Sequence, residues 1–385
     1  MQYIDYIIAH YGWQGLALAG TIIILLSIQL WYYTVTYGRI SRFRNSRRKK
    51  KLTSEPPVSV IIPMFAEDYT YIDECLPLIL NQQYATTYEV VIVYVGSNSD
   101  FYEELTRQRL FHPNLTVTKI EFNPRFPISV KMAPNVGIKA AHNEHLLFTT
   151  TDSVPASEQW LAMMGKAFMR GDIVLGYTAL EHSKGLTNYL MRASRLQCSM
   201  YWLAAAVKGH TYRGSRNNFG FTKTIYFDAK GFNHLNMNIG EEDLFLQKVA
   251  RNNNASVVLI PKGTMIEQPW GGMKWWLSQL RHYGSAYHLY PREVRNNIEW
   301  ELGSQILFFI AILTAVIFMP IEFKVAALLL LLVRYIVVAL RIRSIAKRVG
   351  ERGMALRYVL FDLFNPLLIL GVRIALLRKD ETVWR

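Results

Sequence analysis

Trp13 to Tyr37 holds no charged residue and carries Trp and Tyr near its ends. An apolar run of about 20–25 residues matches the thickness of a bilayer core, with the aromatic rings at headgroup level. No basic region precedes it and no clear small-residue cleavage site comes after it, so it reads as an anchor rather than a signal peptide. Arg39-Ile-Ser-Arg-Phe-Arg-Asn-Ser-Arg-Arg-Lys-Lys-Lys51 comes directly after. By the positive-inside rule this end is cytoplasmic and the N-terminus lies outside. Apolar runs return at 302–319 and 323–340, joined by Pro320-Ile-Glu322 as a hairpin of two spans. Arg341, Arg343, Lys347, Arg348 and Arg352 come next, on the cytoplasmic side. Arg334, inside the second run, is expected to snorkel rather than to line a polar path. Residues 355–377 are apolar but include Asp362, Asn365, Pro366 and Arg373 between two basic flanks. That pattern predicts an interfacial or re-entrant helix.

The 385 residues carry a formal charge of +14. A basic chain seeks nucleic acid, anionic lipid or an anionic substrate. Here many cations flank apolar runs, which points to the anionic cytoplasmic leaflet, and no nucleic-acid module is present. Cys75 and Cys198 are far apart and show no metal-binding spacing, as expected for reduced cytosolic thiols.

Residues 38–57 form a basic linker, and residues 58–290 a globular, cytoplasmic domain. Strands are expected at 58–62, 89–95, 115–122, 146–149, 173–177 and 256–260, the first stopped by Pro63. Helices are expected at 72–82, 101–109, 131–141, 186–208, 241–251 and 273–287. Strands alternating with helices predict an α/β fold with a mostly parallel sheet. Arg213-Gly-Ser-Arg-Asn-Asn-Phe-Gly220 and 231–240 read as polar loops.

Leu146 to Ser157 begins apolar and turns polar at once. Its one acid, Asp152, falls at the carboxyl end of a strand, where open α/β sheets bind ligands. Thr149, Thr150, Thr151 and Ser153 surround it with hydroxyls. Two readings stand: Asp152 caps the next helix, or it holds a hard cation such as Mg²⁺ or Mn²⁺ together with substrate phosphates.

Five features in order form a recognisable set: Val58-Ser-Val-Ile-Ile-Pro63, Gly96-Ser-Asn-Ser-Asp100, Thr150-Thr-Asp152, Gly240-Glu-Glu-Asp243, and Gln279-Leu-Arg-His282. With the terminal apolar runs, the segment 56–290 resembles the membrane-bound glycosyltransferases of family 2. Their GT-A fold is a mostly parallel, doubly wound sheet, and their clan includes the cellulose, chitin and hyaluronan synthases. The resemblance implies an inverting transfer of sugar from a nucleotide-sugar donor to a lipid-linked or glycan acceptor. It also implies a divalent metal, Mg²⁺ or Mn²⁺, and a location in the inner (plasma) membrane.

The family's Asp-x-Asp metal motif is represented by Thr150-Thr151-Asp152, so Asp152 is the implied metal ligand. The implied general base is Asp243, paired with Glu242; the alternative is an acid-rich first turn favoured by the helix dipole. The family's Gln-x-x-Arg-Trp motif matches Arg281 and His282 to its Arg-Trp pair and implies diphosphate contacts. A basic helix resting on lipid headgroups is the other reading. Pro63 and Glu67 lie on the loop that contacts the donor nucleoside in the family, where Glu67 matches the usual acid; a surface loop acid is the other reading. The glycine-rich segment corresponds to one that passes close to donor and acceptor in the family, which implies a phosphate contact for Arg213 or Arg216; a plain loop is the other reading. Tyr94 and Val95 replace two acids of the family pattern, one of which reads uracil, so the nucleobase is open. The departures at Thr150, Tyr94, Val95 and Ser278 keep a second function open, that of a catalytically degenerate subunit of a polysaccharide assembly.

Overall fold

The computed structural model describes residues 2–44, 55–121, 129, 131–232, 241–251 and 254–377. The basic stretch 45–54 of the linker, residue 122 of the third expected strand and residues 233–240 of the second polar loop lie outside these.

The chain opens with α1 (Gln2–Trp31), kinked at Gly12, whose φ of 67° no ordinary helical residue adopts. A π-helical turn leads into α2 (Gly38–Arg42). Then β1 (Val58–Met64), α3 (Leu76–Leu80), β2 (Tyr88–Val95), α4 (Ser99–Arg107), β3 (Leu115–Ile120), α5 (Met132–Ala140) and β4 (His145–Phe148) alternate. They are succeeded by β5 (Ser153–Pro155), α6 (Trp160–Ala167), β6 (Ile173–Gly176), β7 (Thr178–Leu180) and the long α7 (Leu186–Lys208). Next come β8 (Phe219–Thr222), α8 (Lys223–Asp228), α9 (Glu241–Val249), β9 (Ala255–Val258) and β10 (Met265–Glu267). The chain ends in α10 (Met273–Ser285), α11 (Arg292–Phe318), α12 (Ile321–Val349) and α13 (Ala355–Leu377).

Seven strands form one sheet in the order β3-β2-β1-β4-β8-β6-β9. All neighbours are parallel except β8, which runs antiparallel to both β4 and β6. The strands are Val- and Ile-rich because both faces are covered. On β1, Val58, Val60 and Ile62 pack with α3, α4 and α6 residues such as Ile79, Phe101 and Trp160, while Ile61 packs with Ala133 and Ile138 of α5. The doubly wound arrangement results from that alternation. A second, three-stranded sheet in the order β5-β10-β7 lies beyond the carboxyl end of β4.

Pro63 does not stop β1, which runs on to Met64. Ile61 turns its carbonyl to the β4 side, where it accepts from the Thr149 amide. Two residues later Pro63 faces the same side, but the β4 ladder has already ended at Ile61. The missing N–H therefore costs no hydrogen bond. Pro155 likewise sits in a strand, β5, at the edge of the small sheet.

Four helices are long and apolar enough to cross a membrane: Gly12–Arg42, Arg292–Phe318, Ile321–Val349 and Ala355–Leu376. Arg334 does not snorkel. It is fully buried, and its Nη1 lies 2.5 Å from Asp362 Oδ2. Arg334 Nη2 also donates to Gln29 Oε1 (2.9 Å), and Asp362 Oδ1 accepts from the Tyr33 hydroxyl (2.8 Å) and Gln305 Nε2 (3.0 Å). A charge with a partner inside the helix cluster has no need to reach the interface.

The end of this cluster where α12 meets α13 is tied to the globular domain. Glu351, just past the left-handed cap Gly350 of α12, accepts from Arg192 of α7 (Nε 3.1 Å, Nη2 2.5 Å) and from the Tyr177 hydroxyl (3.1 Å). Thr264 Oγ1 donates to the carbonyl of Val349 at 3.0 Å.

Candidate active site

Asp152 lies just past β4, at the carboxyl edge of the large sheet. Its Oδ1 accepts from Thr150 Oγ1, from Ser153 Oγ (3.1 Å) and from Asn217 Nδ2 (3.4 Å). The hydroxyls flanking the single acid thus orient its carboxylate. Asp152 does not cap α6, which begins at Trp160.

The segment 213–218 is fixed by its last residues. Buried Asn218 donates to the carbonyls of Tyr177 (2.8 Å) and Gly263 (2.9 Å) and accepts from Trp160 Nε1 (3.0 Å). Asn217 donates to Ser153 Oγ at 2.6 Å, and Ser215 shares a hydrogen bond with Thr178 at 2.6 Å. Arg213 to Asn217 consequently form one wall of a polar cavity of about 80 Å³. Asp152, Glu242 of α9 and His282 of α10 line the same cavity. Three guanidiniums, from Arg195, Arg213 and Arg216, face the carboxylates of Asp152, Glu242 and Glu267 there. A smaller cleft lined by Pro63 and Thr150 also includes Arg216 and Glu242, which joins the first loop to the cavity.

Asp243 lies directly behind the wall made by Arg213 and Glu242. It is 4% exposed. Its Oδ2 accepts from the Tyr290 hydroxyl at 2.8 Å and lies 3.5 Å from Arg213 Nε. Burial pushes the carboxyl up to about 7; Glu242 adds to the shift, while Arg213, the Tyr290 hydroxyl and the Gly214 amide oppose it. That places its proton exchange in the range where a general base works.

On α10 the cavity receives Gln279, His282 and Tyr283. This is an i, i+3, i+4 set on one helix face. Arg281 is exposed and is not among the residues lining the cavity. The face of α10 that meets the cavity thus carries His282 of the expected Arg281-His282 pair together with Gln279 and Tyr283. Burial, reinforced by Arg216 and Arg213, lowers the His282 pKa against the pull of Glu242, so the ring is neutral near pH 7. Tyr283 carries the Arg213 guanidinium 4.0 Å above its ring.

Glu67 stands apart from this cavity, exposed beyond the ends of β1 and β2. It accepts from Asn98 Nδ2 (2.7 Å) and from the Tyr94 hydroxyl (2.8 Å), and these two bonds hold its carboxyl below the usual range. Tyr94 thus fixes the Glu67 carboxylate.

Sequence reasoning missed Arg195 and Glu267, which form an ion pair of 2.7 Å in the cavity wall. Glu267 arrives there because β10 pairs with β5, opposite Ser153, and because the Gln268 amide donates to the Asp152 carbonyl at 2.8 Å. Burial pushes the Glu267 carboxyl up, and Arg195 opposes it. No group of three His, Cys, Asp or Glu residues gathers among the described residues. The donor set is one carboxylate, Asp152, with the hydroxyls that orient it. This fits a hard divalent ion held largely by substrate phosphates, and it does not fit an all-protein cage.

Residues 59–233 match the family model described as glycosyl transferase family 2. No curated protein sequence matches the chain. Among solved structures, the mannosyltransferase PcManGT from Pyrobaculum calidifontis, in complex with GDP-Man and Mn²⁺, is similar at a TM-score of 0.56 and 18% identity, over 91% of this chain and 99% of that one. S. aureus TarS 1–349 aligns at a TM-score of 0.41 and 18% identity, over 83% of this chain and 92% of that one. The family match over residues 59–233, the strand order and the likeness to PcManGT agree on a GT-A fold, with the stretch 59–233 similar to a family 2 glycosyltransferase domain.

Proposed function

We propose that the protein is a membrane-anchored, inverting glycosyltransferase. It takes a nucleotide-sugar donor from the cytosol and a lipid-linked or glycan acceptor at the inner (plasma) membrane, with the catalytic domain cytoplasmic. The observation that carries this reading is Asp243: a buried acid poised near neutrality beside Glu242, at the wall of a cavity that also holds Asp152, Arg216 and His282.

In this reading the acceptor hydroxyl oxygen attacks the anomeric carbon of the donor. The bond between that carbon and the phosphate oxygen breaks, and the nucleoside diphosphate leaves with the electron pair. The hydroxyl proton passes to the Asp243 carboxylate. Asp152 is the residue that would hold Mg²⁺ or Mn²⁺, which when bound neutralises charge on the diphosphate. Arg216, with Gln279 and neutral His282, offers hydrogen bonds to the same phosphates. Pro63 and Glu67 border the nucleoside end.

The test uses the full chain in detergent. Calorimetry with UDP, GDP, CDP and dTDP, with and without Mn²⁺, identifies the donor class. Asp152→Ala abolishes the Mn²⁺-dependent part of nucleotide binding. Asp243→Asn keeps nucleotide binding and loses sugar transfer by about 10²–10⁴-fold, the usual contribution of a general base. Transfer by Asp243→Asn at the wild-type rate would remove the base from this reading.

A further inference from the structure

A second cavity, of about 150 Å³, lies between α10, α13, α7 and the start of α11. Its lining is mostly aliphatic and aromatic. Leu368, Val372 and Leu376 of α13 succeed one another at i, i+4, i+8 and face Leu280 of α10. Cys198, Arg213 and Tyr283 belong to both this cavity and the polar one, so the two share a wall. We propose that this apolar cavity seats the hydrocarbon chain of the acceptor, which is therefore a lipid with a hydroxyl-bearing head group. The inference rests on the glycosyltransferase reading above and narrows its acceptor.

Three observations carry it. The first is the position of Tyr290. Its hydroxyl donates to Asp243, while Tyr290 itself lines the apolar cavity. A chain lying along that cavity leads its head group toward the base. The second is the contrast between the cavities. Arg195, Arg213 and Arg216 are matched in the polar cavity by Asp152, Glu242 and Glu267. In the apolar one the charged residues are Arg213, at the shared wall, and Arg373. An occupant that satisfies both is amphipathic, and an apolar cavity of this kind holds water poorly. The third is the route. α13 and α11 are both long and apolar enough to cross a membrane, and Leu360, Phe364, Leu367 and Ile374 on the outer side of α13 are exposed. The helix that walls the cavity is thus the one that meets the acyl region, as expected for a lipid that stays in the bilayer while its head is glycosylated. A glycan would instead need hydrogen-bonding groups along its length, and the α13 side supplies Asn365 and Arg373 among aliphatic side chains.

The probe is hexadecanol with a diazirine near its tail, presented to the full chain in phosphatidylcholine nanodiscs. Crosslinks are expected on the inner face of α13 around Val372 and on α10, reduced at least fivefold by Val372→Trp and by Leu368→Trp, with Val372→Ala labelling as wild type. A measurement free of variants at the cavity is alkylation of Cys198 by N-ethylmaleimide, in a Cys75→Ser background, which the alcohol slows. Crosslinks confined to the exposed outer face of α13, or labelling unchanged by both tryptophans, would overturn the proposal. So would protection of Cys198 by a soluble maltopentaose but not by the alcohol, which would assign the cavity to a glycan. Nucleotide calorimetry on the same wild-type sample separates the two readings. Lost nucleotide binding with intact crosslinking refutes the transferase assignment, and intact binding with absent crosslinking refutes the lipid seat.

Discussion

Replacing Tyr290 with Phe removes one hydroxyl from the structure and shifts the proton balance of the site. The Tyr290 hydroxyl donates to Asp243 Oδ2 at 2.8 Å and favours the ionised form. Burial has already raised Asp243 from 3.8 to about 7. That is roughly 4 kcal/mol in favour of the proton. A hydrogen bond to a charged group contributes about 1.5–3 kcal/mol, so its loss raises the pKa by about 1–2 units more. In the proposed role of base, Asp243 works only when ionised. In the wild type kcat/KM falls about tenfold per pH unit below about 7, and in Tyr290→Phe that limb moves to about 8–9. The assay is transfer from the nucleotide sugar, measured from about pH 5 to 10 at sub-saturating donor. Stability provides a second readout with its own sign. A folded-state pKa above the unfolded one means the native state binds the proton more tightly. The stabilisation is fully present below 3.8 and is lost as pH rises through about 7. Asp243→Asn removes this pH dependence of the thermal midpoint. An acid limb that stays in place or moves down in Tyr290→Phe refutes the role given to this hydroxyl, because the only contact removed favours the carboxylate.

Two further outcomes concern other contacts. Arg334→Met leaves Asp362 buried with Tyr33 and Gln305 alone and is expected to destabilise the chain by about 3–5 kcal/mol, whereas Arg334→Met with Asp362→Leu recovers most of the loss; thermal unfolding in detergent measures both. Gln279→Ala, which strips a polar group from the cavity face of α10, weakens nucleotide binding about tenfold by calorimetry, the loss of one good hydrogen bond.

Much of the parallel half of the sheet was legible because each β-to-α transition carries its own signal, as in Val58 to Pro63 and Glu89 to Gly96. β8 was not. Its first two residues, Phe219 and Gly220, fall inside the Gly- and Asn-rich stretch that reads as loop, and it takes a central place only by pairing with β4 and β6. The carboxylates at Asp152, Glu242 and Asp243 stood out because acids at strand and helix ends are conspicuous. Arg195 and Glu267 carry no local pattern; they meet because β10 pairs with β5 and β7 beside α7. On α10 the sequence leaves open which of Gln279, Arg281 and His282 look inward, because only packing decides which face of the helix meets the cavity. Arg334 and Asp362 each look anomalous in an apolar run. Their partnership spans 28 positions, and with it the reason neither is out of place.

The clamp of Glu351 on Arg192 and Tyr177 bears on where the molecule can be divided. In sequence the catalytic region closes near residue 290, and a shortened, membrane-free version would be cut there. In the folded chain that cut removes the carboxylate that neutralises a guanidinium whose side chain is only 5% exposed, and it removes the Val349 carbonyl that takes the Thr264 hydroxyl. An excised fragment would keep Arg192 in the apolar body of α7 with its countercharge gone. Any dissection of this protein therefore has to carry the end of α12 and the Gly350–Glu351 corner along with the sheet.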